Sequence, residues 1–254
     1  MLQKRFRCLP LLLLPALAAI IVITSIDSAA RMLPFNARER FVYKAKWGVV
    51  EAGEAVIETL PDEYVNGRRF YHFVMTTRTN STIDRIYKLR ERQDSYVDQN
   101  FTHSVQYEKR SMGSHPREVV VYFNWKQMNA TYVNFGEPEK PVSIVPGTFD
   151  PLSLFFAIRT HDFREGNSIR IPITDGKKLI STKAVVQGRE RIVINERAYD
   201  TYVVVPDFDL RKAFEKGRPD MKIWITADDR RIPIKIESRQ KFGKVVLELV
   251  SAVL

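Results

Sequence analysis

The feature that most constrains this chain is a period of two. Phe41, Tyr43, Ala45 and Trp47 alternate with Val42, Lys44 and Lys46, and comparable alternating runs recur at 69–77, 118–125, 168–174, 198–205, 221–226, 232–237 and 244–250. In an extended chain every second side chain points to the same side, so each run reads as a half-buried strand. Turn chemistry separates the runs: Asn66-Gly67, Asp175-Gly176, Gln187-Gly188, the Asp228-Asp229 corner and Phe242-Gly243. Asn-Gly and Asp-Gly accept positive φ at both central positions of a tight hairpin. The chain therefore reads as all-β, an antiparallel meander forming a strongly curved sheet or half-barrel. Its last third is expected to be three consecutive strands, joined at 228–231 and 241–243.

One stretch departs from this period. In PGTFDPLSLFFAIRTHDF, Leu152, Phe155 and Phe156 fall at i, i+3 and i+4, which gathers them on one helical face. Asp150 suits an N-cap, Pro151 the first helical position, and Arg159 with His161 the C-terminal end of the helix dipole. A single short helix near 150–160 is predicted, and its Phe-rich face has only the sheet to pack against.

The N-terminus has a separate logic. Lys4, Arg5 and Arg7 precede an apolar run from Leu9 to Ile23, which is followed by Ser28-Ala29-Ala30. That is the layout of a secretory signal peptide cleaved near Ala30. Pro10 and Pro15 interrupt the run, and it is shorter than the roughly 18–20 apolar residues of a spanning helix. Residues 1–30 are expected to be a leader and 31–254 one β domain, periplasmic or otherwise exported. The single cysteine, Cys8, lies within the leader, so the expected mature chain has no disulfide and depends on an ordinary core.

Lys and Arg outnumber Asp and Glu by 40 to 30. Such a surplus suits anionic lipid or envelope glycan, and export makes nucleic acid the poorest fit. Contact with a membrane surface is consistent with it. The four histidines, His72, His103, His115 and His161, include no pair at metal-binding spacing, and there is no nucleophile elbow, P-loop or dinucleotide fingerprint. Asp228-Asp229 and His161-Asp162 sit among turn signals, where carboxylates bond local backbone. No catalytic residue, metal or cofactor is assigned, and the chain is read as not an enzyme.

The blocks RERFVYKAKWGVVEAGEAVIE, RERQDSYVD, FDPLSLFFAIR, TDGKK and MKIWITADDRRIPIKIESRQKFGKVVLELV occur in this order. They resemble the exported family of unknown function DUF3108 over most of 31–254. In architecture alone the chain is similar to periplasmic lipoprotein carriers of the LolA and LolB type, a curled sheet around an apolar cavity. That likeness implies that glycines bend the first strands, with Gly48 and Gly53 flanking a tight connection at 49–52. It also implies that Trp47 lies at the concave rim. Trp47, Phe155, Phe156 and Trp224 are the candidate contacts for a lipid-like apolar ligand. Three function classes follow: a carrier of such a ligand, a structural or assembly factor of the cell envelope that binds a protein or anionic glycan, and an envelope hydrolase.

Overall fold

The computed structural model describes residues 33–207, 221–240 and 243–254. The leader and the connection at 241–242 lie outside them. Leu33–Leu254 is one compact unit. Among the described residues fifteen strands form a single antiparallel sheet: β1 (Arg40–Trp47), β2 (Val50–Val65), β3 (Arg68–Thr79), β4 (Leu89–Asp98), β5 (Ser104–Gly113), β6 (Arg117–Asn124), β7 (Asn129–Asn134) and the two-residue β8 (Glu137–Pro138) and β9 (Val142–Ser143) come before the helix. Helix α1 (Ser153–Ala157) runs into a 3-10 turn, Ile158–Thr160. After it come β10 (Ser168–Thr174), β11 (Leu179–Ile194), β12 (Arg197–Asp207), β13 (Met221–Thr226), β14 (Pro233–Gln240) and β15 (Gly243–Val253). Among the described residues no helix is long and apolar enough to cross a membrane.

The strands form two meanders, and the seam between them is made by the ends of the chain. The sheet order runs from β10 through β15, then from β1 through β8, with β9 paired to β7. Strand β1 therefore sits between β2 and β15, with Tyr43 opposite both Ala55 and Leu249. The sheet curls but does not close. Between its two edges runs the segment 144–160, anchored by Ile144 N to Met128 O, by Phe149 N to Pro172 O and by a parallel bridge from Phe149 to Ile173. The three strands expected in the last third are β13, β14 and β15, each paired with its sequence neighbour.

Alternation sorts the faces as expected. Phe41 and Tyr43 of β1, Ile57 of β2, Phe73 of β3, Val97 of β4, Tyr107 of β5, Val121 of β6, Val186 of β11, Ile234 of β14 and Leu249 of β15 belong to one buried cluster inside the curl. Burying such a set supplies most of the driving force for folding, since each large apolar side chain contributes roughly 1.5–3 kcal/mol.

Two glycines have other roles than the sequence suggests. The β1–β2 connection is Gly48-Val49 alone, because Trp47 already pairs with Val50. Gly53 lies inside β2, at a bulge where Ala45 faces Gly53 and Lys46 faces Glu51, so Ala52 is the extra residue. A Cβ at position 53 would lie 2.0 Å from Arg78 O and 2.9 Å from Thr79 Cα. Only glycine lets β3 come that close. Likewise Gln187-Gly188 is no turn: β11 continues through it, with Val186 opposite Val204 and Gly188 opposite Val203. A bulge bends its strand and increases local twist, so both glycines serve the curvature of the sheet. Gly53→Ala should therefore cost about 2–3 kcal/mol or more, read as a lowered midpoint in urea denaturation. An unchanged midpoint would mean that the bulge relaxes freely.

Candidate functional site

Helix α1 belongs to the segment that runs between the two edges of the sheet, with Phe156 and Ala157 buried in the core. The helix is seated by a buried polar box. Asp150 is fully buried. Its Oδ1 accepts from Leu152 N at 2.8 Å and Ser153 N at 2.9 Å, while its Oδ2 accepts from the hydroxyls of Ser95 at 2.6 Å and Ser104 at 2.5 Å. Asp150 thus performs the capping role the sequence assigns it, three residues ahead of the first residue of the regular helix, and also ties the helix start to β4 and β5. The four donors favour the carboxylate, but burial outweighs them and holds the Asp150 carboxyl above the usual carboxylate range. The folded protein therefore binds this proton more tightly than the unfolded chain does. The associated stability is complete below the unfolded value near ~4 and declines as pH rises through the folded one. Asp150→Asn should remove that dependence. The melting-temperature difference between wild type and variant, measured from acid to neutral pH, should shift in the variant's favour on going to neutral; a constant difference would contradict it.

The far end of the helix is fixed by charge. Arg159 does not face solvent beside the helix dipole; it is wholly buried and pairs with buried Glu39, Nη1 to Oε2 at 2.7 Å and Nη2 to Oε1 at 3.2 Å. Its remaining donors reach Pro34 O at 2.7 Å and Arg230 O at 3.0 Å. The guanidinium also lies over the rings of Phe35, Phe41 and Phe156. One side chain therefore joins the helix, the segment leading into β1 and the β13–β14 turn. His161 does meet the helix end, with Nδ1 3.0 Å from Ala157 O. Removing one member of such a pair strands the other charge in the interior. Glu39→Gln and Arg159→Leu should each cost about 3–5 kcal/mol, whereas a paired apolar replacement should recover much of the loss. Urea denaturation of the three variants checks this.

The four candidate contact residues are not gathered into one site. Phe156 is fully buried and stacks on Phe73 with ring centroids 3.8 Å apart, and Phe155 packs on Phe41 and Tyr43. Trp47 is half-exposed at the end of β1, its ring against Gly243. Trp224 is buried, donates from Nε1 to Glu190 Oε2 at 3.0 Å and lies under Lys235. Sequence reasoning missed Glu39, Ser95 and Ser104, whose partners are more than 45 residues away along the chain.

The outer face of β1–β5 carries a groove of about 520 Å³ lined by Arg40, Arg78, Arg90, Arg92 and Arg110 with Val56 and Met112. Each arginine has a carboxylate: Glu58, Glu54, Asp84, Asp94 and Glu108 in that order. The groove is thus internally neutralised. The Arg90 hydrogen bonds hold the Asp84 carboxyl below its usual range. Nearby, His72 faces Glu63 from Nδ1 at 2.8 Å and Asp94 from Nε2 at 2.9 Å and stacks on Tyr96. With a carboxylate on each ring nitrogen, neither is open to a substrate. Asp228 accepts from Thr226 Oγ1 and pairs with Arg230, as a turn former does. No cluster of three or more potential metal ligands occurs among the described residues.

Comparison with known proteins adds the family and the fold. The model of a family described as protein of unknown function, DUF3108, matches residues 42–250. The crystal structure of a β-barrel-like protein of domain of unknown function DUF1849 from Brucella abortus is similar over 89% of this chain and 99% of its own, with a TM-score of 0.57 at 10% identity. A putative lipoprotein from Parabacteroides distasonis aligns over 87% of this chain and 98% of its own at 9% identity, and its TM-score of 0.30 is too low to bear on the fold. No curated protein matches the sequence.

Proposed function

The chain belongs to the DUF3108 family, and from that premise we propose that it is an exported, non-catalytic protein of the cell envelope that holds a partner on its outer surface, as a structural or assembly factor. The observation that carries this reading is the seat of Phe156, fully buried and stacked on Phe73 inside the curl. A lid over a ligand cavity would leave its ring against open space. Here Phe35, Phe73, Phe101 and Phe156 touch one another edge-on or stacked, and Phe149 continues the cluster from Phe101. Such rings contribute through area and through their mutual geometry, and both are used up in packing.

The leader supports export. The non-catalytic reading is supported by the engagement of the buried polar groups with each other: Asp150 with two serines and two backbone amides, His72 with two carboxylates. A carrier of an apolar ligand would need α1 to swing out, against both the Asp150 box and the Arg159–Glu39 pair.

Titration with a fluorescent fatty acid and thermal melts on the same samples test the choice. The wild type should show no saturable uptake. Phe156→Ala should lose about 3–5 kcal/mol of stability whether or not fatty acid is present, as a core aromatic does. Saturable uptake by the wild type, abolished in a Phe156→Ala variant that stays folded, would restore the carrier.

A further inference from the structure

At one end of the sheet, three connections are joined into a single platform. Alternation of strand direction brings the β1–β2 turn, the β3–β4 connection and the β5–β6 turn to the same end. Backbone and side-chain hydrogen bonds then join them: Asn80 N donates to Ala52 O at 2.9 Å and Asn80 Nδ2 to Glu51 O at 2.6 Å, while Ser114 N donates to Lys88 O at 2.9 Å and Lys88 N to Ser114 Oγ at 3.0 Å. Within the middle connection, Asn80 Oδ1 accepts from Thr82 N and Ile83 N, and Ile83 is buried as its anchor. Gly48 N bonds Lys244 O at 2.7 Å and fixes the first turn to β15.

This platform presents apolar side chains to solvent. Val49 is 98% exposed, Ile86 76% and Met112 71%, and Trp47, Val50 and Tyr87 are exposed beside them. Val49 and Ile86 lie on the first two connections, and Met112 stands beside the third, next to the last residue of β5 and opposite Arg90. Between them stand exposed Arg85 and Lys88, neither in an ion pair with a described residue, since the neighbouring Asp84 carboxylate is held by Arg90. Water gains nothing from this combination, and the fold does not use it.

We infer that this end of the molecule docks on the surface of an anionic phospholipid bilayer, with Val49, Ile86 and Met112 entering the acyl boundary, Trp47 and Tyr87 at headgroup level, and Arg85 and Lys88 on the lipid phosphates. Three arguments choose a bilayer over a protein. Separated side chains on two connections and a strand end offer no contiguous patch of the ~1,000 Å² or more that a stable protein interface buries, whereas a fluid bilayer needs no shape complementarity. Trp and Tyr, with one polar and one apolar end, are suited to the membrane–water boundary. The unpaired cations supply the charge complement to an anionic leaflet. This deepens the reading of outward engagement proposed above and names its partner class.

The test is co-sedimentation of residues 33–254, a compact unit by itself, with vesicles of phosphatidylcholine alone and of phosphatidylcholine mixed with phosphatidylglycerol. The wild type should sediment with the mixed vesicles and lose that binding at high salt. Val49→Asp combined with Ile86→Asp should weaken binding about tenfold or more, and Arg85→Glu with Lys88→Glu should do the same for the mixed vesicles. All four positions are exposed, so circular dichroism should show unchanged folding. A wild type that stays in the supernatant, apolar variants that sediment like wild type, or equal binding to neutral vesicles would overturn the proposal. So would a dimer in size-exclusion chromatography that Val49→Asp with Ile86→Asp splits, because a second copy would then be the occupant. Failure here together with no fatty-acid uptake removes only the bilayer; fatty-acid uptake removes the outward reading itself.

Discussion

Arg159 and Glu39 hold the architecture together. Two opposite charges with essentially no exposure face each other across a 2.7 Å bond, and they bring together parts of the chain 120 residues apart. The sheet is open, so its edges cannot lock each other as in a closed barrel. What occupies the gap is the segment bearing α1, and what fixes its end is this pair. The guanidinium fork also accounts for two backbone carbonyls, Pro34 O and Arg230 O, that lie in segments without ladder partners of their own. A hydrophobic residue would pack in the same space but could satisfy neither. Asp150 does the corresponding work at the other end of the helix, so α1 is held by polar groups at both termini and by aromatic rings between them.

Curvature is the second constraint, and it is what makes an interior possible. A fifteen-stranded sheet that stayed flat would expose both faces. The bulges at Gly53 and Gly188 place an unpaired residue on each of the two longest strands, β2 and β11, one in each meander. Each bends its own half, and the β1–β15 pairing joins the two bent halves. Phe41, Tyr43 and Leu249 sit at that seam with exposures below a tenth. Tyr43 donates its hydroxyl to Pro233 O at 2.6 Å, and burial raises its pKa.

Much of this was legible from the residue pattern. Alternation identifies strand faces because one face is buried and the other is not, and the inward set Phe41, Tyr43, Val121 and Ile171 follows from it. The helix was legible from Leu152, Phe155 and Phe156, and its cap from Asp150. Gln187-Gly188 was misread because a bulge glycine and a turn glycine answer the same local demand, freedom from a Cβ; only the partner strand distinguishes them. The place of Arg159 in the last helical turn was legible, but its partner was not. Its position after a helix suits the dipole, and nothing nearby in sequence announces Glu39. The union of β1 with β15 is likewise a property of the whole chain, set by closing the seam rather than by any local signal. The four aromatic candidates occupy different settings, Phe155 and Phe156 on α1 and Trp47 and Trp224 on separate strands, because their positions follow the path of the whole chain.

Several polar groups that look chemically capable are engaged by neighbouring groups in this fold. Asp150, His72 and Arg159 would each attract notice in a cleft, yet each has its bonding capacity taken up by neighbours. The arginines of the outer groove are matched one to one by carboxylates. With the buried rings packed on one another and the arginine groove self-neutralised, the exposed apolar side chains stand out where these pairings stop. That place is the end of the sheet that carries Val49, Ile86 and Met112, with Arg85 and Lys88 on the middle connection. The loops are cross-bonded, so the side chains are presented at little cost in further ordering when they meet a surface. The cross-bonds between these connections would hold Val49, Ile86 and Met112 in fixed relation to one another, as the proposed contact with a bilayer requires.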